Sequence, residues 1–153
     1  MSASFVLGET NRSSKRRAVP STCQDQSGSR FAALAGFWHG ARVLIYKILR
    51  PSEWDDFEAS GRFDGSPDDR RDGFIHCSTR EQAPATAQRF FASEPRLVVA
   101  VIDADELGDA VRWEEASHGG LFPHIYGPLS IQCVSATYSI DGASAVNAVL
   151  PSE

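Results

Sequence analysis

Apolar and polar positions follow different patterns in two parts of this 153-residue chain. From residue 43 onward, apolar runs alternate with clusters of Gly, Pro, Asp and Ser, which is typical of strands and helices joined by turns. Before that point no period is sustained, and the residues are basic and rich in serine. We therefore predict a single α+β domain over 43–140, a disordered basic arm over 1–42 and a frayed tail over 141–153.

The arm has three interpretations. Its basic, serine-rich and acid-poor composition suits an organelle transit peptide. It also suits a solvated tail, or a start codon assigned too early. All three stay open at this point.

Apolar runs locate the predicted strands, which lie at 43–49, 73–77, 97–102, 110–114 and 129–138. The run at 97–102 is wholly apolar, so we predict a central strand covered on both faces. Within 129–138 the apolar positions change phase, and this predicts a bulge near Cys133-Val134 inside one long strand.

Capping signals predict two short helices. The first follows Ser52, whose spacing from Asp55 matches a capping box, and it ends at Gly61. The second follows two overlapping boxes in residues 78–82. Its predicted buried face consists of Ala83, Ala87, Phe90 and Phe91.

Two stretches predict loops, at 63–72 and at 118–127, because both are dense in turn residues. The first contains the acidic run Asp64, Asp68, Asp69 and Asp72. Arginines interrupt this run and no glutamate closes a twelve-residue calcium pattern, so we interpret it as a solvated loop.

Charge is unevenly distributed along the chain, whose net charge is −5. The arm carries six Lys or Arg against two acidic residues, which leaves nine basic and eighteen acidic residues for the rest. An acidic domain repels phosphate backbones, so nucleic acid is a poor candidate for its main partner.

The same composition argues against several other classes of protein. No apolar run reaches the roughly 18 residues of a membrane span. Three cysteines cannot complete a paired framework, and we predict reduced thiols and a cytoplasmic location. Four histidines lie at no recognised zinc spacing, so no metal is predicted.

The best candidate for chemistry is the segment Gly73–Thr79. It places His76 near the end of a strand, and Ser78 and Thr79 at the start of a helix, where free N–H groups can hold a phosphate or carboxylate. The alternative is that both hydroxyls only cap the helix and that His76 is a hydrogen-bonded, half-buried histidine.

A second candidate combines Glu114, at a strand end, with His124 and Tyr126 in a glycine-rich loop. Carboxylate, imidazole and phenol groups in such a loop can line a pocket. Alternatively, Tyr126 packs over the sheet edge and Glu114 is solvated.

These segments resemble a known family when taken in order. The blocks that carry the resemblance are Ile45-Tyr46-Lys47-Ile48, Asp72-Gly73-Phe74-Ile75-His76-Cys77-Ser78-Thr79, Trp113-Glu114 and Phe122-Pro123-His124-Ile125-Tyr126. Together they look like the bacterial "domain of unknown function 952" family, over roughly residues 44–138. That family name implies no reaction.

A more distant likeness implies a fold and a ligand. The piece Ile75-His76-Cys77-Ser78 is similar to a motif of the tRNA 2′-phosphotransferases, which have the ADP-ribosyltransferase-like fold. The resemblance implies a split, mixed β-sheet with two short helices around a cleft for NAD. It also implies roles for individual residues: His76 and Glu114 in catalysis, and Tyr46, Ser78, Thr79, His124 and Tyr126 in ligand binding.

Two functions follow from this resemblance. One is an NAD-utilising ADP-ribosyltransferase or phosphotransferase-like enzyme with a nucleotide as partner. The other is a non-catalytic module that binds a small ligand or a protein on the same fold. Asp72, where the phosphotransferases have an arginine, favours the second, whereas the retained His76 and the Trp113-Glu114 pair favour the first. Neither function implies an oligomeric state.

Overall fold

A computed structural model describes residues 42–117 and 119–151, so the predicted arm, except Arg42, lies outside the described residues. The strands are β1 (Leu44–Leu49), β2 (Arg62–Phe63), β3 (Ile75–His76), β4 (Leu97–Asp103), β5 (Val111–Glu115), β6 (Leu121–Ile125), β7 (Leu129–Ser130) and β8 (Val134–Ile140). The helices are α1 (Pro51–Ser60), α2 (Pro67–Asp72), α3 (Ala83–Phe90), α4 (Ala104–Leu107) and α5 (Val146–Val149).

The apolar run predicted as a central strand forms β4, which lies between β1 and β8 in a three-stranded antiparallel sheet. Every residue of β4 is buried. Alternate side chains of β1 and β4 enter two core clusters, one on each face of this sheet. A wholly apolar strand therefore has the surroundings that its sequence requires.

Two smaller sheets complete the domain, one pairing β2 with β7 and one in the order β3-β6-β5. An isolated bridge between Tyr46 and Ser78 joins the end of β3 to β1. The α+β class and the division of the strands among separate sheets are confirmed. All pairings among the described strands are antiparallel, so the expected mixed pairing is not found.

The segment predicted as one long strand is two strands in different sheets. A 3-10 turn at Ile131–Cys133 separates β7 from β8. The register between β4 and β8 then shifts by one residue near the start of β8. Val101 faces Ala136, whereas the next residue of β4, Ile102, faces Val134. The change of apolar phase thus marked a real irregularity, but a turn produces most of it, since the chain leaves one sheet and enters another.

Several predicted boundaries are wrong for local reasons. Helix α1 begins at Pro51 rather than after Ser52, because the backbone N–H of Arg50 donates to the side chain of Glu53. It ends as predicted at Gly61, whose φ is 74°. The loop predicted for 118–127 contains β6, which pairs with both β3 and β5.

The carboxyl-terminal segment is not a frayed tail over its described part. A 3-10 turn at Ala143–Ala145 leads into α5. Val146 and Leu150 are 0% and 5% exposed and pack in the same core cluster as Ala83 and Ala87 of α3. The sequence signal was weak because the helix is only four residues long.

The prediction of reduced thiols is tested at Cys77. Cys77 is a free, buried thiol, and Cys23 lies outside the described residues. The cytoplasmic location therefore stays a prediction.

Among the helices of the described ranges, none is long and apolar enough to cross a membrane.

Candidate functional site

One face of the β3-β6-β5 sheet carries most of the predicted site residues. His76 lies opposite His124, which in turn lies opposite Arg112. Residues that are opposite each other, or two apart on one strand, share a face of a sheet. Glu114 and Tyr126 therefore lie on this face with both histidines, while Ile75 and Ile125 point from the other face into the core.

The imidazole of His124 is held by Glu114. Its Nδ1 lies 2.7 Å from Oε2 of Glu114, and the ring donates because an ionised carboxylate only accepts. The hydroxyl of Tyr126 donates to the same carboxylate at 2.9 and 3.1 Å. These two hydrogen bonds hold the pKa of Glu114 below its usual range, and the bond to Glu114 raises the pKa of Tyr126.

His76 is held by a different carboxylate, which sequence reasoning missed. Oδ1 of Asp69 accepts from the backbone N–H of His76 at 2.9 Å and lies 2.7 Å from its Nδ1. Oδ2 of Asp69 accepts from Nζ of Lys47 at 2.7 Å. On the other side of the ring, Nε2 of His76 lies 3.3 Å from Asp72. Both ring nitrogens of His76 therefore face carboxylates.

Asp69 is 2% exposed, although it was predicted to lie in a solvated loop. The loop contains helix α2, which begins with Pro67 and has a reciprocal capping box between Ser66 and Asp69. Burial alone favours the neutral acid, but the hydrogen bond from His76 and the charge of Lys47 hold the pKa of Asp69 well below its usual range. The remaining acidic residues of that run are exposed, as predicted.

Phe74 packs against both histidines. Its ring stacks on His124 with centroids 4.1 Å apart and an interplanar angle of 20°. It also contacts His76 at 4.7 Å and Tyr126 at 5.5 Å. The two imidazoles are 5.4 Å apart. Packing of this kind leaves the rings few alternative orientations.

These side chains border a cleft of about 680 Å³, which we call the site cleft. Its walls come from β1, β3 and β6, helix α2, the end of α3, and residues 115–117 at the end of β5. Tyr46, His76, Ser78 and His124 line it. The volume of the site cleft is in the range of small-molecule sites, and such sites also combine aromatic with polar lining residues.

The remaining predicted residues are placed less directly. Glu114 and Tyr126 adjoin the site cleft through His124, and Thr79 is not among its lining residues. Helix α3 begins at Ala83, and the N–H groups expected to hold a phosphate are already bonded: that of Ser78 donates to Tyr46 and that of Thr79 to Gln82. The hydroxyl of Ser78 donates to Thr86.

Two sequence signals could have revealed the buried pair. Lys47 is the one charged residue in an otherwise apolar strand, and a buried lysine requires a carboxylate. Ser66 and Asp69 have capping-box spacing with a proline between them, which predicts a helix. Within 42–117 and 119–151, no group of three His, Cys, Asp or Glu side chains is placed to hold a metal ion.

Comparison with known proteins agrees with this fold. The chain belongs to the family described as "Protein of unknown function (DUF952)", whose model matches residues 48–137. The resemblance predicted from the ordered sequence blocks is thereby confirmed. The likeness to the tRNA 2′-phosphotransferases stays a prediction.

Solved structures of one relative are similar to this chain. The crystal structure of protein CC0527 from Caulobacter crescentus is 45% identical, covers 64% of this chain and 86% of its own, and gives a TM-score of 0.62. The solution NMR structure of CC0527 is 44% identical with a TM-score of 0.60, and covers 65% and 85%. No functionally curated protein matches the chain. Family and relatives thus leave the function uncharacterised.

Proposed function

We propose that the site cleft binds a small nucleotide of the NAD class and that His124 is the group that exchanges a proton or a hydrogen bond with it. One observation carries this proposal: two imidazoles 5.4 Å apart, each fixed through Nδ1 by its own carboxylate, border the same cleft. Fixing a tautomer in this way prepares the opposite nitrogen for a ligand.

The two histidines are not equivalent. Within the described ranges, Glu114 is the one hydrogen-bonding partner of the His124 ring, so its Nε2 can accept a proton from a ligand, or donate when protonated. Nε2 of His76 already faces Asp72. His124 is therefore the better candidate for general acid–base chemistry, whereas His76 borders the cleft with both ring nitrogens next to carboxylates.

Glu114 acts through His124 in this proposal. Its carboxylate accepts hydrogen bonds from both His124 and Tyr126. It therefore orients the imidazole and is not free to contact a ribose directly. An ADP-ribosyl transferase needs negative charge close to an oxocarbenium-like ribose. Glu114 supplies that charge if its hydrogen bonds rearrange on binding.

A second candidate is the non-catalytic ligand-binding module. The engagement of both Glu114 oxygens favours it, because a fully hydrogen-bonded carboxylate stabilises a neighbouring cation less. In either case the expected partner is a small molecule rather than nucleic acid, since the chain from residue 43 carries eighteen acidic and nine basic side chains.

The test is a titration of the full-length protein with NAD, ADP-ribose and inorganic phosphate, followed by backbone amide shifts. We expect NAD or ADP-ribose to shift the amides of Phe122, His124 and residues 115–117. His124→Gln should weaken binding by about 10-fold or more, the loss of one charged hydrogen bond. Trp113→Ala, on the opposite face of the same sheet, is the matched control and should bind as wild type.

Two results would contradict the proposal. If none of the three probes moves the cleft amides at millimolar concentration, nucleotide binding is wrong. If shifts instead cluster in the acidic groove between α1 and α2, around Asp56 and Arg62, the nucleotide binds but the assigned site is wrong.

A further inference from the structure

The end of helix α3 places an aromatic ring where the sequence pattern predicts core. Ala83 and Ala87 are fully buried and Phe91 is partly buried, so the row at spacing four forms the packed face. Phe90 lies beside that row, is 59% exposed and lines the site cleft. It is the most exposed large apolar side chain among the described residues.

The neighbouring Arg89 places a positive charge on the cleft wall beside Phe90. Its guanidinium lies 5.5 Å from the centroid of the Phe90 ring. The other cations that line the cleft are neutralised: Lys47 by Asp69, Arg50 by Glu94 and Glu53, and Arg71 by Asp68 and Asp72. Among the described residues, Arg89 is thus the one cleft-lining Lys or Arg without a carboxylate partner.

An exposed ring and an unneutralised guanidinium, side by side on a cleft wall, match the two parts of a nucleotide. A nucleobase stacks on an aromatic face in a way that tolerates any base. A phosphate accepts from the guanidinium in the paired geometry that arginine provides. Phe90 and Arg89 belong to helix α3 and are separate from the histidine pair, which lies on the β3-β6-β5 sheet.

We propose that Phe90 and Arg89 form a base-and-phosphate subsite, so that the ligand lies with its nucleobase on Phe90, a phosphate at Arg89 and its ribose end toward His124. This assignment rests on the proposed nucleotide-binding function and specifies it further. It divides the ligand into two halves that different side chains recognise.

The experiment compares three probes on the full-length protein by amide-shift titration: ADP-ribose, adenosine and ribose 5-phosphate. Phe90→Ala should weaken ADP-ribose and adenosine by about 5- to 150-fold, the range for losing one stacked base, and leave ribose 5-phosphate unchanged. Phe90→Trp should restore binding. Arg89→Gln should weaken ADP-ribose and ribose 5-phosphate by about 2- to 5-fold and leave adenosine unchanged.

Trp113→Ala is the matched control, because Trp113 is also an exposed aromatic, at 42%, but lies outside the cleft. The subsite is wrong if Phe90→Ala leaves ADP-ribose binding intact, or if it weakens ribose 5-phosphate equally. In both cases wild-type binding still supports the proposed function. If wild type binds none of the three probes, the proposed function and the subsite fall together.

Discussion

The buried ion pair between Lys47 and Asp69 gives the sharpest stability prediction. Asp69 accepts four hydrogen bonds: from Nζ of Lys47, from the backbone N–H of Ser66, and from the backbone N–H and Nδ1 of His76. Asp69→Asn removes the charge and turns one acceptor oxygen into an NH₂ donor. That NH₂ must face other donors whichever way the amide is turned.

The expected cost is large for a small domain. Removing one partner of a buried ion pair costs about 3–5 kcal/mol, because the other charge stays buried without compensation. A domain of this size has a free energy of unfolding of about 5–15 kcal/mol, so the variant loses a large fraction of it. Lys47 is itself only 5% exposed, so water compensates its charge poorly once the carboxylate is gone.

Urea unfolding at neutral pH, followed by tryptophan fluorescence, measures this cost. Asp68→Asn is the matched control, because the Asp68 side chain is 72% exposed and its ion pair with Arg71 is solvated. Its unfolding midpoint should match that of wild type. The double variant Lys47→Met/Asp69→Asn should lose clearly less than the two single variants combined.

The pH dependence supplies a second check on the same variant. The pKa of Asp69 is lowered by folding, so its stabilising effect is present above the unfolded value of about 3.9 and is lost as the pH falls through the folded pKa. The gap in stability between wild type and Asp69→Asn should therefore narrow below about pH 4. The reasoning is refuted if the variant loses less than about 1 kcal/mol at neutral pH, the scale of a surface pair.

Three further predictions follow from single contacts. Gly65→Ala should lower the thermal unfolding midpoint more than Gly73→Ala. Both glycines have positive φ, but only at Gly65 would an added Cβ meet another atom, the Cβ of Asp69, at 2.8 Å. Equal losses of stability would contradict this. Glu114→Gln should bring the pKa of Tyr126 down toward its ordinary value in an ultraviolet pH titration, and an unchanged midpoint would disprove the hydrogen bond. Cys77, whose pKa burial raises to about 12, should resist alkylation in the native protein and react in urea; rapid native labelling would show that it is accessible.

Local sequence patterns predicted those elements whose burial or boundaries depend on residues close by in the chain. The apolar run of β4 required burial on both faces, and the structure provides it. Gly61 ends α1 because few other residues adopt its positive φ. The order of the family blocks identified the family. The sequence also predicts His76 as a site residue from its place near a strand end, and His124 from its place in a glycine-rich segment.

Only the tertiary structure decided what these residues contact. The carboxylate that binds His76 belongs to helix α2, which lies within the acidic run of residues 64–72. The sequence does not show which of the four aspartates in that run is buried. Likewise, β6 was predicted as a loop because its pairing with β3 and β5 depends on residues far away in the chain. Hydrophobic period and capping act within a few residues, whereas burial of Asp69 and exposure of Phe90 depend on which surfaces meet after folding.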